Sequence, residues 1–151
     1  MPGYEITISN NDGTIEFSTK EEGNAVSIES VEFRMNTIND NTRNRADAVR
    51  AEFEIKGIVD NNNSENTLKL LKWSIDQDQK TLYRDVEVVV YNSGNCSGDV
   101  LRRYQISNMF VIDYEEYHIT EKDSNKNQET LNFRLFIAQK EGDKDIKVYS
   151  N

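Results

Sequence analysis

Between residues 49 and 59 the chain alternates almost without a break. Val49, Ala51, Phe53, Ile55, Gly57 and Val59 fall on one side, and Arg50, Glu52, Glu54 and Lys56 on the other, until Ile58 departs from the pattern. Successive side chains of a strand point to opposite faces, so this segment must rest one face on a core and turn a charged face to water or to another charged surface. The same period recurs along the chain. Tyr4, Ile6 and Ile8 mark a first strand, Asn11-Asp12-Gly13 a hairpin turn, and Ile15 and Phe17 a second strand. A third runs from about Ala25 to Met35, with Val26 and Ile28 in one phase and Val31, Phe33 and Met35 in the other; the slip at Glu29-Ser30 predicts a β-bulge.

One segment has the helical period instead. Over Glu65–Ile75, Leu68, Leu71 and Ile75 share a face that Leu70 and Trp73 widen, so this face is expected to meet the core. Asp60 to Ser64 supply candidate N-cap oxygens. Strands resume at Leu82–Tyr91, with Val86, Val88 and Val90 in phase, and at Val100–Ser107 and Met109–Ile119, two strands or one long bent one. In the latter, Tyr104, Ile106, Phe110, Ile112 and Tyr114 share a phase. Residues 120–128 read as a turn, Leu131, Phe133, Leu135 and Ile137 as the next strand, and Ile146 and Val148 as a short last one. The expectation is a single domain over residues 1–151: mainly β, an antiparallel barrel or sandwich of about eight or nine strands with one short helix. The only proline, Pro2, precedes the first strand and interrupts no sheet.

Function classes fall away by residue type. A net charge of −9 without a Lys/Arg cluster argues against nucleic-acid recognition. No apolar run reaches the roughly 18 residues of a membrane span, and the N-terminus lacks the basic and apolar regions of a signal peptide. Assembly in the cytoplasm is therefore expected. One cysteine, Cys96, excludes an intrachain disulfide and multi-cysteine metal sites. One histidine, His118, lacks a nucleophile turn and cannot make a two-histidine zinc site. Asp76-x-Asp78 lacks the glycine and the next ligand of a calcium loop. No catalytic residue, metal or cofactor is expected; the chain reads as a non-enzyme. The segment Asn36–Asp47 is polar and aperiodic, either a projecting arm or a plain hairpin tip.

The order of these elements resembles the inner-tube proteins of contractile injection machines, namely the haemolysin-coregulated protein of type VI secretion and phage-tail tube proteins. The likeness covers about residues 25–138. It is carried by the strand 48–58 running into Asp60 and the helix with Leu68-Lys69-Leu70-Leu71, by Tyr83–Tyr91 after the helix, by Tyr104–Val111 with Asp113-Tyr114, and by Gln128–Phe133. An additional N-terminal hairpin and the Asn-rich arm set this chain apart from well-known members. The resemblance implies hexameric rings stacked into a conduit, with sheath, baseplate or spike proteins as partners, effector cargo in the lumen, and export as part of an injection particle. A ring needs one patch to meet a different patch on the next copy. Candidate contacts are Tyr4, Ile6 and Ile8 on the first strand, the strand 49–59, and Ile38, Asn39, Arg43 and Arg45 in the arm. Arg50, Glu52, Glu54 and Lys56 would line the lumen or the ring contact. The competing reading is a monomeric β-sandwich module binding carbohydrate or protein through clustered tyrosines, with Tyr83, Tyr91, Tyr104, Tyr114, Tyr117 and Tyr149 as candidates.

Overall fold

A computed structural model describes residues 2–19, 28–37, 49–123 and 126–150. The alternating segments become β1 (Gly3–Asn10), β2 (Gly13–Ser18), β3 (Ile28–Thr37), β4 (Val49–Val59), β5 (Arg84–Tyr91), β6 (Val100–Asp123), β7 (Lys126–Gln139) and β8 (Ile146–Tyr149), with one helix, α1 (Ser64–Ser74), between β4 and β5. All eight strands join one antiparallel sheet in the order β2-β1-β5-β6-β7-β4-β3, and β8 pairs with β6.

The 24 residues of β6 organise the molecule. Its first half, Val100 to Met109, pairs with β5, and its second half, Met109 to Asp123, pairs with β7. On the β7 edge, β7 ends opposite Met109 and β8 resumes opposite Ile106, so the two follow one another along β6 with the loop 140–145 between them. Buried Gln139 holds that loop, its amide donating to the carbonyls of Ser107 (3.0 Å) and Asp145 (3.1 Å). Around this spine the sheet folds over on itself. Phe17 of β2 lies 6.0 Å from Phe133 of β7, and Tyr104 of β6 lies 4.6 Å from Phe33 of β3 and 5.5 Å from Phe53 of β4, ring centre to ring centre. The core fills the space between the two layers, with Ile6, Ile8, Val88 and Ile106 opposite Phe53, Ile55, Phe133, Leu135 and Ile137. Among the described residues β2 and β3 are not paired to one another, so the architecture is an open sheet folded into two layers rather than a closed barrel.

Several local expectations change. The predicted bulge is present as a register shift between Ile28 and Ser30. The expected turn at 120–128 is mostly strand, because β6 runs to Asp123 and β7 begins at Lys126. In β6, Phe110 and Ile112 do not share the inner face with Tyr104 and Ile106. Asn108 takes a left-handed backbone (φ 54), which shifts the phase so that Met109 and Val111 turn inward, and a second irregularity between Val111 and Asp113 restores it at Tyr114. Asparagine tolerates this conformation better than most residues.

The helix also differs in which side it buries. Thr67, Leu70 and Trp73 are buried, whereas Leu68, Leu71 and Ile75 are exposed. Trp73, the largest of these side chains, sets the choice: its ring packs into the core and its Nε1 donates to the Leu82 carbonyl at 2.7 Å. Asn63 occupies the N-cap without capping through its side chain. That side chain ties the helix to β4, accepting from the Asp60 amide (2.9 Å) and donating to the Ile58 carbonyl (2.7 Å). Thr67 N donates to the Asn63 carbonyl (2.8 Å) and starts the helical ladder. Asn66 reaches from α1 to the carbonyl of Glu16 on β2 (3.0 Å).

Candidate assembly surfaces

The pleat of β4 turns Arg50, Glu52, Glu54 and Lys56 away from the core, and the register of its neighbours places further charges beside them. Arg34 on β3 donates to Glu54 (2.6 Å), Arg134 on β7 donates to it (2.9 Å), and Lys56 stands 3.6 Å away. Three cations thus surround one carboxylate. The Arg134 hydrogen bond is the chief reason that the Glu54 pKa lies below the ordinary value of 4.5. The guanidiniums of Arg34 and Arg134 also lie 5.4 and 5.8 Å from the ring of Phe136, the cross-strand partner of Glu54. Glu52 is not a freely exposed charge. It is 2% exposed and accepts from Asn36 (3.0 Å) and from Arg50 (3.3 Å). The outer face of β3, β4 and β7 is therefore a knitted lattice of charges. The sequence supplied the β4 half of it; Arg34, Arg134 and Phe136 emerge only from the strand order.

Strand edges are distributed otherwise than expected. β1 lies between β2 and β5, and β4 between β3 and β7, so both edges of each are hydrogen-bonded. Ile6 and Ile8 are core residues at 1% and 0% exposure, with Tyr4 half-buried beside them, and β1 presents no free edge to a neighbour. Ile38, Asn39, Arg43 and Arg45 lie outside the described residues. The second half of β6, from Phe110 on, pairs with β7 but not with β5, so among the described residues it is paired on one side only, as are β2, β3 and β8. Beside the last two sit exposed apolar side chains, Met35 at 46% and Val148 at 41%. Val148 is the cross-strand partner of Tyr104, which stacks on Phe33, two residues from Met35 on the same face of β3. The mouth between the layers is thus rimmed by apolar residues and by two unpaired backbone edges.

Chemistry-bearing residues do not converge. Cys96 is buried in the loop after β5 against Thr19 Oγ1 (3.3 Å) and the carbonyl of Tyr4 (3.5 Å), while His118 is exposed on the distal half of β6 opposite Leu131. No group of three or more metal-ligating side chains occurs among the described residues. The tyrosines are dispersed. Tyr104 packs on Phe33 and Phe53, Tyr114 on Phe133, and Tyr83 on Phe110 with Lys140 over its ring at 4.9 Å. Tyr114 donates to Glu116 (2.7 Å); burial, then that carboxylate, pushes its phenol pKa well up. A recess of about 330 Å³ crosses β1, β5 and β6, where Glu87 is taken up by Gln105 (2.7 Å) and Arg103 (3.5 Å). No helix among the described residues is long and apolar enough to cross a membrane.

No protein-family model matches the chain, and no curated protein sequence matches it. Solved structures do. The secreted protein Hcp3 from Pseudomonas aeruginosa superposes with a TM-score of 0.52 at 12% identity, over 99% of this chain and 98% of Hcp3. A chain of the PVC sheath-tube complex, an extracellular contractile injection system in its extended state, gives 0.48 at 12% identity over 98% of this chain and 88% of its own. A chain of the anti-feeding prophage baseplate gives 0.47 at 10% identity over 97% and 92%. The chain has the fold of Hcp3, which is the fold implied by its resemblance to inner-tube proteins of contractile injection machines.

Proposed function

We propose that this chain is a structural subunit of the inner tube of a contractile injection or phage-tail-like machine, and that its copies close into hexameric rings that stack into a conduit. The observation that carries this reading is the end-to-end superposition of the chain on Hcp3, over 99% of this chain and 98% of the other. Two features support it. The unpaired edges of β3 and β8 differ from one another, as a head-to-tail ring contact requires, and strand addition along such an edge uses backbone groups already aligned for it. The charge lattice around Glu54 gives a polar wall suited to a lumen or to a contact between rings. Sheath and baseplate or spike proteins are the outer partners in this reading, cargo is the inner one, and the particle carries the subunit out of the cell.

Negative-stain electron microscopy with light scattering over a concentration series tests it. Rings with a central hole, alone or stacked, are the expected result. A strictly monomeric species at the highest concentration would overturn it and leave the binding-module reading.

A further inference from the structure

We infer that the exposed face of α1, with the cationic recess beside it, is a docking site for an amphipathic helix of another protein whose apolar stripe is flanked by carboxylates. The helix buries Thr67, Leu70 and Trp73 and leaves Leu68, Leu71 and Ile75 at 47%, 40% and 71% exposure. These three stand at i, i+3 and i+7, one stripe on the side of the helix away from the core, and they are three of the seven exposed large apolar residues described. A helix with two apolar stripes suits a place between two surfaces, of which the chain itself supplies one.

The charge beside the stripe says what the second surface carries. Lys69 and Lys72 follow Leu68 and Leu71 on one flank and, with Arg84, line a recess of about 220 Å³ between α1 and the β1–β2 turn. Asp12 is the one carboxylate lining it, on a chain of net charge −9. Arg84 lies 5.7 Å from the ring of Trp73, and its buried Nε has no hydrogen-bond partner. Asp76 and Asp12 already face the charge of Arg84, so Lys69 and Lys72 are the cations of the recess left to meet an added carboxylate. Docking of α1 on α1 of a second copy would bring Lys69 and Lys72 against their own counterparts, so like charge disfavours that occupant. The site is separate from the edges of β3 and β8 and does not depend on ring closure.

The test uses the full chain and two designed helical peptides with the same leucine stripe, one flanked by Glu and the other by Lys. Binding is read by calorimetry and by the fluorescence of Trp73, the single tryptophan. The Glu-flanked peptide should bind about tenfold or more tightly than the Lys-flanked one, and more weakly as salt rises. Leu68→Ser with Leu71→Ser should weaken it by about tenfold with circular dichroism unchanged. Lys69→Glu with Lys72→Glu should reverse the preference between peptides. Equal binding of the two peptides, or undiminished binding to the Leu68/Leu71 variant, overturns the inference. So does a Leu68/Leu71 variant that loses self-association which the Glu-flanked peptide cannot compete away, because a second copy is then the occupant. Rings counted by microscopy on the same variants report separately on the tube reading.

Discussion

Glu54 shows how a single residue gains meaning from strand order. In the sequence it is one of four charges on the outer side of a strand; in the fold it is the common acceptor of Arg34 and Arg134, with Lys56 close by. Partners from β3 and β7 were not legible, because register, not spacing, brings them together. Its side chain is 12% exposed and those of the cations are 28–46% exposed, so solvent screens the cluster, and Glu54→Gln should cost only about 0.5–1 kcal/mol at neutral pH. The sign of the pH dependence follows from the pKa. A carboxylate whose pKa is depressed in the folded state adds stability above its unfolded value, and this is lost as pH falls through the folded value. Urea unfolding of the wild type and the variant should therefore show a gap at pH 7 that closes as pH drops below about 4.5. Equal stability at pH 7, or a gap that widens in acid, would remove Glu54 from its role as the centre of the lattice.

At the scale of elements, the strands were legible wherever one face is apolar, and the bulge at Ile28/Ser30 was legible as a phase slip. Two elements were only partly legible, for physical reasons, although Leu70 and Trp73 are in the core as expected. In β6 the inner phase changes at Asn108, and a sequence that remains apolar on both sides of the change hides it: Met109, Phe110, Val111 and Ile112 are all apolar. In α1 two stripes compete, Leu68/Leu71/Ile75 and Thr67/Leu70/Trp73, and counting aliphatic residues favours the first. Trp73 weights the second, because a buried aromatic ring removes more area from water than any aliphatic in the segment. The assignment has a direct consequence. Leu70→Ala should destabilise the chain by about 2–5 kcal/mol, whereas Leu71→Ala, on the exposed stripe, should stay within about 0.5 kcal/mol. Thermal melts of the two variants under one condition check it, and similar losses would mean that the helix is rolled the other way.

For the whole molecule, the sheet's openness is the property that the sequence concealed. Alternation says that a strand has an inner face but not which strands end the sheet, so β1 and β4 were expected to offer edges that the fold pairs on both sides. Among the described residues the unpaired edges fall to β2, β3, β8 and the second half of β6, and of these β3 and β8 carry the exposed apolar side chains Met35 and Val148. An unpaired edge beside apolar side chains invites another chain, and proteins that remain monomeric commonly guard such edges with charge, of which β8 has Lys147 and β3 has Arg34. If copies of this chain join at β3 and β8, adding to that guard should stop them. Met35→Lys with Val148→Lys changes two solvent-exposed positions, so the folded subunit should lose no more than about 0.5 kcal/mol per site. Ring formation, in contrast, should fail, since a desolvated lysine in the contact lacks a partner placed to receive it. Light scattering should then report monomer at concentrations where the wild type assembles, with the same circular dichroism. Rings formed at wild-type concentration by the double variant would exclude the β3–β8 mouth as the contact. They would leave the second half of β6, and β2, where Asn66 of α1 already holds the Glu16 carbonyl, as the remaining edges paired on one side among the described residues.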